Sequence, residues 1–349
     1  MTKRKTRFSI TRRGFTASAA AFGAGAAIGL GGFPAIGQGL RKVVFLFDVS
    51  PYGKHSLFYP AIEKGYFKDA GLDVEIQNGK GSADVSVKVG TKNADFGFAD
   101  CATMTLARGR GVPVKQFHMV HYKNMMNCSS LTSDPISSPK DLVGKTVGAT
   151  SGDAARVALP GLAKINNFDH SKVEIITVDS PSKPALLMSG KVAGVLGLSA
   201  IFPVYSAAVQ KAGKEATQFL YADYGLDTYN NGLITHDDTA KNDAGFVKAF
   251  GDAIAQSCVF AVENPDEAVE MFSVHNPAYN KETARKQLQV AIDHLMVPEV
   301  KEHGVGPMDP EKMAFTFKIV QDYFGLEGDV ALEDLYSNDF VTKGQVPQT

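Results

Sequence analysis

The hydrophobic pattern over residues 43–76 sets an order of elements that the rest of the chain repeats. The apolar run at 43–47 is followed by a polar loop holding Asp48, Ser50, Tyr52, Lys54 and His55. Leu57, Phe58, Ala61 and Ile62 then recur at three- and four-residue spacing, which predicts a helix closed by Gly65 as a left-handed cap. Pro60 removes one amide and fits only in or near a first turn. After Gly71, residues 72–76 alternate as a half-buried strand. The result is a βαβ unit whose first loop leaves the carboxyl end of a strand, where open α/β sheets hold their ligands.

Residues 82–89 read as a short helix stopped by Gly90, 95–99 as a strand ending at Asp100, 102–108 as a helix and 114–120 as a strand. A second block repeats this order. It has a strand at 146–149, a loop through Thr150, Ser151, Gly152 and Asp153, and a helix at 154–165 disturbed by Pro160. A strand at 174–178, a helix at 184–189 capped by Gly190 and a strand at 192–196 complete it. The fold class is therefore α/β, with two similar lobes in series rather than a short tandem repeat. From Asp243 onward the pattern is helical. Val247, Phe250, Ile254 and Cys258 share one face, and Asn264-Pro265 starts another helix. Residues 281–295 are amphipathic, and Asp309-Pro310 starts a last helix carrying Phe315, Phe317, Val320 and Tyr323. These helices are expected to bury against the first lobe, with an extended strap after Leu335.

The N-terminal residues change the charge picture. Lys3, Arg4, Lys5, Arg7, Arg12 and Arg13 precede a Gly/Ala-rich apolar stretch, and Ala35-Ile36-Gly37 is a small-x-small cleavage pattern. Arg12-Arg13-Gly14-Phe15 has the form of a twin-arginine export signal, so residues 1–37 are set aside as a leader and a soluble periplasmic protein is expected. No later segment is expected to be long and apolar enough to span a membrane. Without the leader's six basic residues, the chain carries 30 Lys and Arg against 37 Asp and Glu, a net charge of about −7. That balance argues against nucleic acid and anionic membranes as partners. Cys101, Cys128 and Cys258 lack metal spacing. Cys258 reads as core, and a Cys101–Cys128 bridge is left open.

Enzyme motifs are missing. Ser151-Gly152-Asp153 is not a hydrolase elbow, no Gly-rich loop ends in GK[ST], and His118 and His121 lack a third ligand nearby for zinc. No catalytic residue, cofactor or metal is assigned. The candidate ligand contacts lie on loops at strand ends. Asp48, Tyr52 and His55 offer a stacking face and hydrogen bonds to ring nitrogens or an amine. Asp100 is either a ligand contact or the N-cap of the helix after it. Ser151, Gly152 and Asp153 open a helix whose amides suit a polar group, with Arg156 one turn in. Asp153 is alternatively a cap or a partner for Arg156. Ser199, beside Leu198, and Tyr205 form the opposite wall, and Asn231 joins them near the second crossing between lobes.

Five segments, 61–67, 71–74, 94–97, 108–114 and 141–148, resemble the corresponding segments of a group of transporter substrate-binding proteins. That group binds aliphatic sulfonates, nitrate or pyrimidine precursors of thiamine, and its fungal branch is the thiamine-pyrimidine synthase. The resemblance runs in order over residues 43–297. It implies a type II periplasmic-binding fold, two mixed sheets flanked by helices with extra C-terminal helices, that closes on a small ligand. It also implies delivery to the permease and ATPase subunits of an ABC transporter. One lobe is expected to comprise 38–126 and 233–349, and the other 127–232. The crossings should lie near 121–130 and 228–236, and the hinge mechanism suits a monomer. Pro51-Tyr52 and His55 resemble the thiamine-pyrimidine branch. In the fungal enzyme the matching histidine is consumed and a cysteine-rich iron motif is needed, whereas the corresponding residues 229–233 here contain no cysteine. A thiamine-pyrimidine-like ligand is thus expected. The alternatives are a small-anion receptor using Arg156, or a synthase-like enzyme.

Overall fold

The computed structural model describes residues 39–151 and 153–348. The expected leader, and Gly152, lie outside these residues. Among the described residues, ten strands form two five-stranded sheets. The first contains β1 (Arg41–Phe47), β2 (Leu72–Asn78), β3 (Phe96–Asp100) and β4 (Val114–Met119). The second contains β5 (Met126–Leu131), β6 (Thr146–Ala149), β7 (Glu174–Thr177), β8 (Gly194–Leu198) and β9 (Ala216–Leu220). β10 (Asn231–His236) returns to the first sheet.

The strand orders are β2-β1-β3-β10-β4 and β7-β6-β8-β5-β9. Each sheet has four parallel strands and one antiparallel strand that arrives from the other sheet, β10 between β3 and β4 in the first and β5 between β8 and β9 in the second. The loops at the carboxyl ends of the parallel strands are the ones carrying candidate ligand contacts.

Three strands, β5, β9 and β10, have no counterpart in the hydrophobic pattern. β5 is buried along most of its length yet reads Met-Asn-Cys-Ser-Ser-Leu. Its polar side chains are satisfied inside the fold: Asn127 donates to Ser129 and Gln218, and Ser130 Oγ accepts from Ile136 N. A central strand of this kind loses the alternation that marks a half-buried one.

The helix expected after the first loop is broken. A 3₁₀ turn, Gly53–Leu57, precedes a new helix, Pro60–Glu63, in which proline occupies the first turn. Ser257 bridges the break, donating to Leu57 O at 2.7 Å and accepting from Ala61 N at 2.9 Å.

The helix Ala244–Glu263 corrects the expectation that no later segment suits a membrane, since its length and composition are sufficient for a span. Its Phe246, Val247, Phe250, Ile254 and Cys258 are buried in the first core with Phe45, Phe96 and Phe98. The helices Pro265–His275 and Lys281–Leu295 add Phe272, Leu288 and Leu295 to that core. The helix Pro310–Tyr323 departs from the expected docking on one lobe, because Met313 enters the first core and Ile319 the second. Cys101, Cys128 and Cys258 are free and buried, with Cys101 and Cys128 in different cores.

Candidate ligand-binding site

A cavity of about 400 Å³ lies between the strand-end loops of the two sheets. Asp48, Val49 and Tyr52 line it from the loop after β1, and Thr150 and Asp153 from the loop after β6. Ser180, Lys183, Leu198 and Tyr205 complete the wall on the second side. Tyr52 also packs with Ala200, Leu198 and Ile201, so apolar contact between the two sides adjoins the polar site.

Asp48 is the most heavily bonded group. Oδ1 accepts from His55 Nε2 at 2.8 Å and Val49 N at 3.0 Å, while Oδ2 accepts from Lys54 Nζ at 2.5 Å and Asn231 Nδ2 at 3.1 Å. Burial opposes ionisation of Asp48, but the Lys54 ammonium and the His55 hydrogen bond outweigh it and hold the carboxyl well below the usual range. Burial likewise opposes the Lys54 charge, and Asp48 outweighs it, pushing the ammonium up to about 12. Burial pushes the Tyr52 hydroxyl up to about 12.

His55 stands behind the wall rather than on it. It is fully buried and stacks on Phe47 with ring centroids 4.5 Å apart. Nδ1 lies 3.1 Å from Tyr52 N and 3.2 Å from Tyr52 O, and Nε2 faces Asp48. Burial lowers its pKa despite that carboxylate. Expected as a ligand contact, His55 does not line the cavity and instead bonds Asp48. Asn231 does the same from β10. Asp100 caps the helix Cys101–Gly109, with Oδ1 accepting from Thr103 N at 2.8 Å and Thr103 Oγ1 at 2.7 Å, and burial raises its pKa. It does not line the cavity.

On the second side Asp153 caps the helix Ala154–Asn166 through Ala155 N at 3.0 Å. Its charge partner is Lys183 at 3.0 Å and not Arg156. Arg156 donates to Thr177 Oγ1 at 3.0 Å and takes no part in the cavity, which corrects its expected ligand role. Ser151 is exposed in a turn away from the wall, and Ser199 is buried with Oγ 3.2 Å from His294 Nε2. Tyr205 does reach the wall, its hydroxyl 3.0 Å from Ser180 Oγ.

Lys54, Thr150, Ser180 and Lys183 were missed as site residues. Lys183 opens the helix Lys183–Met188 beyond β7, so the strand-end rule that selected Asp48 also points to it. Among the described residues no cluster of three or more His, Cys, Asp or Glu side chains is arranged to hold a metal ion.

Residues 53–268 match the family described as NMT1/THI5 like. The formylaminopyrimidine-binding protein of Halalkalibacterium halodurans is 25% identical over 308 residues, covering 86% of this chain and 91% of its own length. The 4-amino-5-hydroxymethyl-2-methylpyrimidine phosphate synthase of Schizosaccharomyces pombe is 23% identical over 259 residues, covering 71% of this chain and 74% of its own. The crystal structure of the periplasmic aliphatic sulphonate binding protein SsuA from Escherichia coli superposes with a TM-score of 0.65 at 10% identity, covering 80% of this chain and 91% of that one. That likeness establishes the periplasmic-binding-protein fold.

Proposed function

Because the chain belongs to the NMT1/THI5-like family, we propose that it is an exported solute-binding protein that closes on a small heteroaromatic ligand, a thiamine-pyrimidine-like ring, and presents it to an ABC permease. The observation that carries this reading is the cavity itself, in which Asp48, Tyr52 and Asp153 converge from strand-end loops of both sheets and Tyr205 from the helix Phe202–Lys211. Tyr52 and Tyr205 offer ring faces, while Asp153 Oδ1, which accepts only from Ala155 N, offers an acceptor to an exocyclic N–H group. Ligand contacts made from both sides favour the closed arrangement over an open one.

The two crossing segments support a hinge. His121 N donates to Asn231 O at 2.8 Å, and His121 O accepts from Asn230 N at 3.1 Å. Asn124 donates through its side chain to Thr228 at 2.6 Å and through its backbone to Asp227 at 2.9 Å. A short ribbon of paired backbone thus joins the lobes. In this reading the lobes comprise the two sheets with their helices, the leader directs export, and the protein works as a monomer.

A synthase-like activity is disfavoured by the absence of cysteine from residues 229–233. An anion receptor is disfavoured by Arg156 lying off the cavity. The test is a thermal-shift screen of residues 39–349 against aminopyrimidines, alkyl sulfonates and nitrate. An aminopyrimidine that raises the melting temperature supports the reading, since selective binding stabilises by mass action. A shift with sulfonates alone would overturn the ligand class. Iron-dependent loss of mass at His55 would overturn the binding role.

A further inference from the structure

The cavity holds two acid–base pairs arranged alike, one from each sheet. Lys54 meets Asp48, and Lys183 meets Asp153. With Tyr52 and Tyr205 protonated and His55 neutral, the formal charge around the cavity is zero. The two lysines are not equivalent. Lys54 lies behind Asp48, whereas Lys183 lines the cavity while remaining 2% exposed. Two of its three N–H groups go to Asp153 Oδ2 at 3.0 Å and Leu196 O at 2.6 Å. One donor is left beside a carboxylate acceptor, a pairing that complements a ring nitrogen next to an exocyclic amine.

Resting on the reading of this cavity as the ligand site, we infer that Lys183 is a specificity-determining residue: paired with Asp153, it selects an uncharged ring with an acceptor nitrogen beside an N–H and rejects ions of either sign. A charged ligand entering a cavity already neutralised loses hydration without finding a free counter-charge.

The test is calorimetry at pH 7.5 with three probes sharing one ring: 4-amino-5-hydroxymethyl-2-methylpyrimidine, its cationic 5-aminomethyl analogue and its anionic 5-carboxylate analogue. The native sequence should bind the alcohol at least roughly tenfold more tightly than either ion. Asp153→Asn keeps the cap and leaves Lys183 unneutralised, so the carboxylate should gain at least about tenfold relative to the alcohol. Lys183→Met should shift preference to the amine instead. The double variant, Asp153→Asn with Lys183→Met, should restore preference for the alcohol, a rescue that a purely structural role would not give. An unchanged probe order in all folded variants overturns the inference while leaving the heteroaromatic reading intact. If Lys183→Met fails to fold, the Asp153→Asn arm decides alone. If no probe binds the native sequence, the heteroaromatic reading falls and this inference falls with it.

Discussion

Met313 and Ile319 share the helix Pro310–Tyr323 but serve different cores, Met313 packing with the first sheet's helices and Ile319 with the second core. Between them Thr316 Oγ1 accepts from Tyr229 N at 3.0 Å, and Lys312 pairs with Asp227 at 2.7 Å, so the helix also grips the returning crossing. The helix thus touches both cores and the returning crossing at once.

Truncating these side chains separately should reveal two independent packing sites. Met313→Ala and Ile319→Ala are each expected to cost about 2–5 kcal/mol. The residues are about 9 Å apart along the helix, so the double variant should lose the sum to within about 0.5 kcal/mol. Urea denaturation measures this, and a larger coupling would mean that the two cores respond as one.

Gly53→Ala should disturb the site from behind. A Cβ there would stand 2.3 Å from Ala284 O and 2.6 Å from Ala284 Cα, backbone that cannot rotate aside. Relief requires moving the 3₁₀ turn that carries Lys54 and His55. A loss of about 1–3 kcal/mol is expected, together with weaker binding of an aminopyrimidine. An unaltered melting temperature and affinity would contradict this packing.

Asp48→Asn should be more damaging than its size suggests, because it strands the buried Lys54 ammonium. About 3–5 kcal/mol of stability should go. Adding Lys54→Met should recover a large part of it without restoring ligand affinity, since the carboxylate that His55 and Asn231 bond is still missing. Recovery of both would show that Asp48 acts only through Lys54.

Acid should weaken the fold before the carboxylates titrate. Burial holds His118 down to about 4, and it holds His121, which also faces Lys54 and His294, well below the ordinary 6.5. Both are neutral when folded, whereas the unfolded chain takes up protons near 6.5. Stability is therefore full above that pH and falls from 6.5 toward 4, by up to about 1.4 kcal/mol per pH unit for each histidine. The contribution of Asp48 has a depressed folded pKa and is lost only at still lower pH. Urea midpoints at pH 7.5, 6 and 5 measure the slope, and a flat profile would be incompatible with neutral buried histidines.

The parallel strands and long helices were legible because their burial is one-sided and periodic. β1 and β2 alternate or run apolar, and Ala244–Glu263 shows its core stripe at three- and four-residue spacing. β5 was not legible, since its Asn127 and Ser130 are buried against partners distant in the chain or across a loop. The same limit applies to the site. Asp48, Tyr52 and Asp153 could be found because loops at strand ends point into the cavity, and Tyr205 because it lies in the helix Phe202–Lys211 that follows such a strand end. The partnership of Asp153 with Lys183 across 30 residues, and the withdrawal of His55 behind Asp48, depend on side-chain directions that no local pattern encodes.

The place of β10 bears on how the protein comes to be made. The second sheet is assembled wholly from residues 126–220, an uninterrupted stretch, whereas the first keeps a gap between β3 and β4 until residues 231–236 arrive to fill it. The half of the molecule that leaves the ribosome first is thus the last to be completed, and β3 and β4 expose unpaired edges in the interval. Partially synthesised chains should be most open to strand-mediated aggregation during that interval.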